Sequence, residues 1–417
     1  MAGGVVIIGA GHAAGAMAAA LRQGGYAGAV TLIGEEPLPP YQRPPLSKAW
    51  LKGEAGADDL LLRPAAFYAE KSIDLKLSRK VVGIDRAAAT VTLDGGEQLP
   101  YDHLVLATGS RLRALAVPGV DSTGVLELRT AADAERIKAA LGPGKRVVVV
   151  GGGYVGLEVA ASSRALGASV VVLEREARLL ARVASEALSA FFARCHRDHG
   201  VDVVLGASVV AFETRDGAVK GVRLADGRVF DCDVAIVGIG ALANDALAEK
   251  AGLACRDGVV VDEHARTSDP AIFAIGDCTQ RPVPRYARSV RLESVPNALE
   301  QGKQAAAAIC GKPAPKSEVP WFWSDQYDIR LQIAGLPFDV RSTVVRGDPQ
   351  AGRFAVFHLD GEGRLQAVEA VNAAPEFVAA RQWVAAGQVL DAGRIADASL
   401  TVKQIVDSAS PAAPAPR

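Results

Sequence analysis

The sequence has no surplus of charge: 46 Lys and Arg stand against 47 Asp and Glu over 417 residues, a net of -1. That removes the broad positive field of a dedicated nucleic-acid binder and leaves only local patches for electrostatic docking. It also has no paired cysteines. Cys195, Cys232, Cys255, Cys278 and Cys310 are odd in number and widely scattered. They offer no disulfide framework, no C-x-x-C or C-x4-C pair and no standard iron–sulfur spacing, which fits a reducing compartment. Nor is there an unbroken apolar run of the ~18 residues that cross a bilayer. Residues 4–21 come nearest, but no basic region precedes them and they contain Gly9, Gly11, His12 and Gly15. Neither a signal peptide nor a membrane span is read there. With 49% hydrophobic and 22% charged residues, the expectation is a cytosolic globular chain. At about 150 residues per domain, two or three domains follow.

What is present is one motif, twice. Residues 4–8 are a short β-branched run, as expected of a buried parallel strand. Gly9, Gly11 and Ala14 follow in the pattern G-x-G-x-x-A, then an Ala-rich helix to Leu21, then a strand 29–33 ending in Gly34, Glu35 and Glu36. This is the full dinucleotide-binding unit. Gly9 permits the tight turn, Gly11 lets the backbone approach a pyrophosphate, and Ala14 keeps helix close to strand. The helix N-terminus attracts phosphate charge, and Glu35 accepts hydrogen bonds from the ribose. A single such turn suits many α/β proteins. Here it recurs: strand 147–150, Gly151-Gly-Gly153, Tyr154, Val155 and Gly156, a helix beginning Leu157-Glu158, and a strand 169–173 ending at Glu174. Two units imply two dinucleotides, FAD and a nicotinamide, and an α/β fold with two Rossmann-like domains. Glu174 stands where it would bond the ribose 2′-hydroxyl of NAD and repel an NADP 2′-phosphate, with Arg175 the counter-argument.

Several further segments complete a family pattern: Tyr41-Gln-Arg-Pro-Pro-Leu-Ser-Lys48, Ala107-Thr-Gly109, Gly151 to Glu158, Ile275-Gly-Asp277, Glu293-Ser-Val-Pro-Asn-Ala-Leu-Glu300 and Pro320-Trp-Phe-Trp-Ser-Asp-Gln326. On these the chain resembles the NADH-dependent ferredoxin reductases of bacterial oxygenase systems, within the two-dinucleotide-fold (glutathione-reductase-like) flavoproteins. The resemblance implies an FAD domain in two pieces, 1–112 and 242–319, with an NAD domain, 113–241, inserted between them. A C-terminal α+β interface domain, 320–407, would have antiparallel strands at Leu331-Gln-Ile and Arg353-Phe-Ala-Val-Phe-His and helices near 375–386 and 400–407. The Ala- and Pro-rich tail 408–417 is expected to be disordered.

The same resemblance assigns residues. Lys48 sits against the reactive edge of the flavin and Glu158 lies between nicotinamide and flavin, close enough to pair with it. Read without the family, Lys48 is a solvated lysine, and Glu158 is a carboxylate in the first turn of its helix, favoured by the macrodipole. Asp277 binds the FAD ribityl chain. Ala13, Val81, Thr108, Gly109, Arg129 and Val295 fall where the family contacts FAD, and Arg43 either touches the cofactor or staples its loop. Of Trp321 and Trp323, which share a strand face, one indole abuts the flavin, Trp323 by preference. Gly151, Gly153, Tyr154, Val155, Gly156, Glu158, Glu174 and Gly238 are the NAD contacts. No metal site is expected: Cys195 and His199 share a helix face, but His196, Arg197 and His199 read as basic residues in a last turn capped by Gly200.

Because no cysteine accompanies the Tyr41–Trp50 loop, the electrons must leave for an acceptor outside the chain. The leading expectation is an FAD-dependent ferredoxin–NAD(+) reductase serving a P450 or Rieske-type oxygenase, a monomer or weak dimer whose partner is an iron–sulfur ferredoxin. The alternatives are an NADH oxidase or peroxidase, and a flavoprotein resembling apoptosis-inducing factor. Arg281, Arg285 and Arg288 form the expected dock for an acidic ferredoxin, with Arg291 more readily paired to Glu293.

Overall fold

A computed structural model describes residues 3–406; the expected disordered tail lies outside them. The chain divides into two compact units, each assembled from three stretches of sequence. The first comprises residues up to Arg43, Gly56–Arg111 and Ala241–Glu318; the second comprises Pro44–Ala55, Leu112–Gly240 and everything from Val319.

In the first unit Gly4–Ile8, buried at every position, is the middle of a parallel sheet. It pairs on one side with Val30–Gly34, Val5 opposite Val30, and on the other with Gln98–Leu106. Ile73–Leu77 and Ile272–Ala274 extend the sheet in parallel, and Thr90–Leu93 with Val81–Asp85 adds an antiparallel flap. β-branched residues buried on both faces explain this core. The helix His12–Gln23 carries no β-branched residue and buries Ala13, Ala14, Met17, Ala18 and Leu21. It packs on Val295–Ile309 through Ala298, Ala305 and Ala306. Gly302 makes that approach possible: a Cβ there would stand 3.0 Å from the carbonyl oxygen of Ala13.

The second unit repeats the scheme. Arg146–Val150 lies between Ser169–Glu174 and Val234–Val237, all parallel, with Val201–Leu205 and Val125–Glu127 at the edges. The same unit holds a five-stranded antiparallel sheet in the order Trp321–Gln326, Ile329–Gly335, Leu365–Val371, Arg353–Leu359, Ser342–Asp348. Helix Ala374–Ala386 covers it, burying Phe377, Ala380, Trp383 and Val384. The helix expected over 400–407 is, in its described residues, a single 3-10 turn, Lys403–Ile405. Gln404 turns back to accept from the Thr401 amide and hydroxyl, closing the turn on itself.

Candidate active site

Each glycine turn is set by backbone crowding. Gly9 has φ +119°, and a Cβ on it would fall 2.1 Å from the carbonyl oxygen of Ala107. Gly151 has φ +111°, with Gly238 O at 2.4 Å from the same virtual atom. Both conformations belong to glycine alone. Gly11 and Gly153 are different. Each is an extended N-cap without a side-chain cap, and a Cβ on either would meet nothing within 4 Å. Neither helix has an acidic residue in its first turn. Two helix N-termini with open space before their amides fit two diphosphates.

Around the first turn, Ala14 is fully buried, while Ala13 faces Gly276, whose virtual Cβ lies 3.2 Å from that of Ala13. Gly276 is fixed at φ +80°, its amide donating to Gln301 Oε1 at 2.8 Å. Asp277 follows it, accepting from Ser110 Oγ at 3.2 Å. Thr108 Oγ1 donates to the Asn244 carbonyl and Asn244 Nδ2 donates back to that of Thr108, bracing the turn at Gly109. Of the strand-end acids, Glu35 is exposed beside Lys80, and Glu36 is held by Tyr41 Oη and Arg43 Nη2. Arg43 thus ties its loop to the strand end. Val81 is buried with Val91 and Leu93, and Val295 opens a helix capped by Ser294.

In the second unit, Glu174 closes the glycine turn: Oε2 accepts from the Gly152 amide at 2.6 Å and Oε1 from the Glu176 amide at 2.8 Å. Arg175 leans on Glu176 at 2.8 Å. Val155 is exposed, and Tyr154 packs edge-on against Phe322, centroids 4.9 Å apart. The Arg129 amide donates to Asp133, which caps the following helix. Trp321 and Trp323 are neighbours at 5.6 Å, and Trp321 is committed to Phe377 and Arg381.

Lys48 and Glu158 come together. Nζ lies 2.6 Å from Oε2, and also donates to the Pro44 carbonyl at 3.1 Å. Ser47 Oγ donates to the same carboxylate oxygen at 2.5 Å, and Ser324 Oγ to Oε1 at 2.6 Å. Ser162 Oγ ties the Ser47 carbonyl down at 2.6 Å. Glu158 is 5% exposed and Ser324 1%. The expectation that Glu158 occupies the first turn is corrected: the helix runs Tyr154–Ala165, so Glu158 is its fifth residue. Its charge is satisfied by three side-chain donors instead of the helix N-terminus. Ser47 and Ser324 were not singled out in the sequence, although both lie inside motifs that were. The available signal was period two: Phe322, Ser324 and Gln326 share a strand face.

Two other expectations are corrected. His196 is fully buried, its Nε2 2.8 Å from Gln326 Oε1. Burial pushes it down to about 4, so it is neutral and does not act on the helix dipole. Arg281 is 7% exposed and binds Asn297 and Glu300, both at 2.9 Å, so it does not belong to a docking surface. Arg291 pairs with Glu293 and Asp257. Among the described residues no three His, Cys, Asp or Glu side chains cluster for a metal, and no helix is long and apolar enough to cross a membrane. Burial raises the thiols of Cys195 and Cys255 to about 11 and Cys232 to about 12, leaving none of these three as a thiolate near neutral pH.

Known proteins match this arrangement along nearly its whole length. The family model for pyridine nucleotide-disulphide oxidoreductases matches residues 3–302 and that for the reductase C-terminal domain matches 321–406. The "Probable ferredoxin reductase CtmF" of Castellaniella defragrans is 54% identical over 376 residues, 90% of this chain and 92% of that protein. Putidaredoxin reductase CamA of Pseudomonas putida is 43% identical, covering 89% of each. The crystal structure of the covalent putidaredoxin reductase–putidaredoxin complex superposes with a TM-score of 0.94 at 41% identity, covering 97% of this chain and 98% of that one. Two glycine turns shaped for diphosphates, a carboxylate–lysine pair and a C-terminal antiparallel sheet thus have one common source: the chain belongs to the pyridine nucleotide-disulphide oxidoreductase family and carries its reductase C-terminal domain.

Proposed function

We infer that this protein is an NADH-dependent ferredoxin reductase: it takes hydride from NADH onto FAD and passes electrons singly to an iron–sulfur ferredoxin serving a P450 or Rieske-type oxygenase. Bound FAD supplies the ability to accept a hydride and release electrons one at a time. The chain's own residues do the rest. The turn at Gly9 and Gly11, with Asp277, holds FAD, and the turn at Gly151 and Gly153, with Glu174, holds NADH. Lys48 and Glu158 orient the reacting partners, and no side chain needs to take or give a proton for hydride to move. The observation that carries the reading is the pairing of half-buried Lys48 with buried Glu158 in a chain that has no cysteine in the Tyr41–Trp50 loop. Two relatives are named a probable ferredoxin reductase and a putidaredoxin reductase, and a cytosolic location suits such a partnership.

The test is NADH-driven reduction of cytochrome c with and without a 2Fe–2S ferredoxin. The expected result is rapid reduction with ferredoxin and little without it. Equal rates in both would point to an oxidase that sheds its electrons directly.

A further inference from the structure

Glu158 is the end of a longer chain of side chains, all within the second unit. Ser324 Oγ donates to Glu158 Oε1 at 2.6 Å, and Gln326 Nε2 donates to Ser324 Oγ at 3.2 Å. The amide's other end, Oε1, faces His196 Nε2 at 2.8 Å, and His196 Nδ1 faces Tyr327 Oη at 3.1 Å. Ser324 and Gln326 are 1% exposed and His196 not at all. The direction of every bond follows from the first. Oε1 of an ionised carboxylate can only accept, so Ser324 must donate to it. Gln326 must then turn its NH2 to Ser324 and its oxygen to His196. A neutral His196 must carry its proton on Nε2, which leaves Nδ1 to accept from the Tyr327 hydroxyl. All four hydrogens point toward Glu158.

Tyr327 reaches His196 from a two-residue hairpin loop in which it adopts φ +55°. A bulky residue is seldom found in that left-handed conformation. Its ring also stacks on His199, centroids 3.7 Å apart. An amide cannot pass a proton along, so the chain is not a proton wire.

We propose that His196 is a positioning residue for Glu158, fixing the carboxylate beside Lys48 through Gln326 and Ser324 by a chain of hydrogen bonds of a single polarity. The proposal rests on the hydride-transfer reading of Glu158. Removing the imidazole frees the Gln326 amide to flip, and Ser324 can then donate to Gln326 Oε1 instead of to Glu158.

The decisive measurement is the tautomer of His196 by nitrogen NMR on 15N-histidine holoenzyme, assigned with His196→Gln. At pH 7 the native protein should carry the proton on Nε2. In Glu158→Gln the new amide should turn its oxygen to Lys48 and Ser47, and its NH2 to Ser324. Ser324 then donates to Gln326, that amide flips, and His196 should switch to the Nδ1–H form. In stopped flow, His196→Leu should slow flavin bleaching by NADH about tenfold, equivalent to ~1.4 kcal/mol, with FAD content unchanged. His196→Gln, whose amide can donate to the same oxygen, should restore the rate. Should His196→Leu fail to hold FAD, Gln326→Met breaks the chain at its centre and is expected to slow bleaching equally. A His196 tautomer that does not respond to Glu158→Gln overturns the chain. Unchanged bleaching in Glu158→Gln overturns the reading of Glu158 itself, and the two failures are read separately.

Discussion

The two glycine turns share a pattern and differ in what surrounds them. At the first, the strand-end acids look away from the turn: Glu35 lies exposed by Lys80, and Glu36 fastens the loop through Tyr41 and Arg43. At the second, the strand-end acid belongs to the turn, since Glu174 accepts the Gly152 amide directly. The first helix is small and apolar along the face it buries, whereas the second buries a carboxylate one turn in. The motif thus fixes where a diphosphate can lie. What the neighbouring acid contributes depends on the segment that packs against it.

The largest expected effects break the two turns separately. Gly9→Ala drives a Cβ into the Ala107 carbonyl, and Gly151→Ala drives one into that of Gly238. Gly9→Ala should yield protein without flavin, while Gly151→Ala should keep its yellow FAD spectrum and lose reduction by NADH at least a hundredfold. Absorbance and stopped-flow bleaching read the two outcomes, and loss of FAD from both variants would erase the distinction.

Next is the choice of nicotinamide, which sharpens the contrast between Glu35 and Glu174. A carboxylate facing a 2′-phosphate at 4 Å costs about 4 kcal/mol at an effective dielectric of 20, so kcat/KM should favour NADH over NADPH at least tenfold. Arg175, drawn to Glu176, is kept from offsetting this. Glu176→Ala should release it and narrow the preference. Equal rates with both nucleotides in the unmodified protein would show that Glu174 does not face the ribose.

The smallest effect on electron transfer concerns the segment after Asp277. Arg285 and Arg288 are exposed there, whereas Arg281 is buried against Glu300. The double change Arg285→Ala, Arg288→Ala should raise KM for an acidic ferredoxin several-fold and flatten its salt dependence, leaving bleaching by NADH unaltered. Arg281→Ala should instead lower thermal stability, because removing one partner of a buried pair costs about 3–5 kcal/mol. A ferredoxin KM indifferent to the double change would move the dock elsewhere, the surface around Trp321 and Trp323 being the next candidate.

The glycine turns and the strands before them could be read from sequence because backbone sterics are local: Gly9 must be glycine wherever a strand turns that sharply into a helix. The Lys48–Glu158 pair needed a family pattern, since 110 residues separate its members. The chain behind it was legible only in part: period two puts Ser324 and Gln326 on one strand face, whereas only the pairing of that strand with a distant helix reveals that they are buried with His196. Arg281 and His196 were misjudged for the same reason. Charge is visible in a sequence, whereas the depth at which it is held depends on long-range packing.

The packing of helix His12–Gln23 on helix Val295–Ile309 has a consequence for biosynthesis. The second helix leaves the ribosome about 280 residues after the first, which at ~5–20 residues per second is roughly a quarter of a minute to a minute. Throughout that interval the alanine face of His12–Gln23 lacks its partner helix, and the glycine turn at Gly151 with the strands beside it is synthesised meanwhile. Helix His12–Gln23 is therefore made early and meets its partner helix late, after the chain has passed through the other glycine turn.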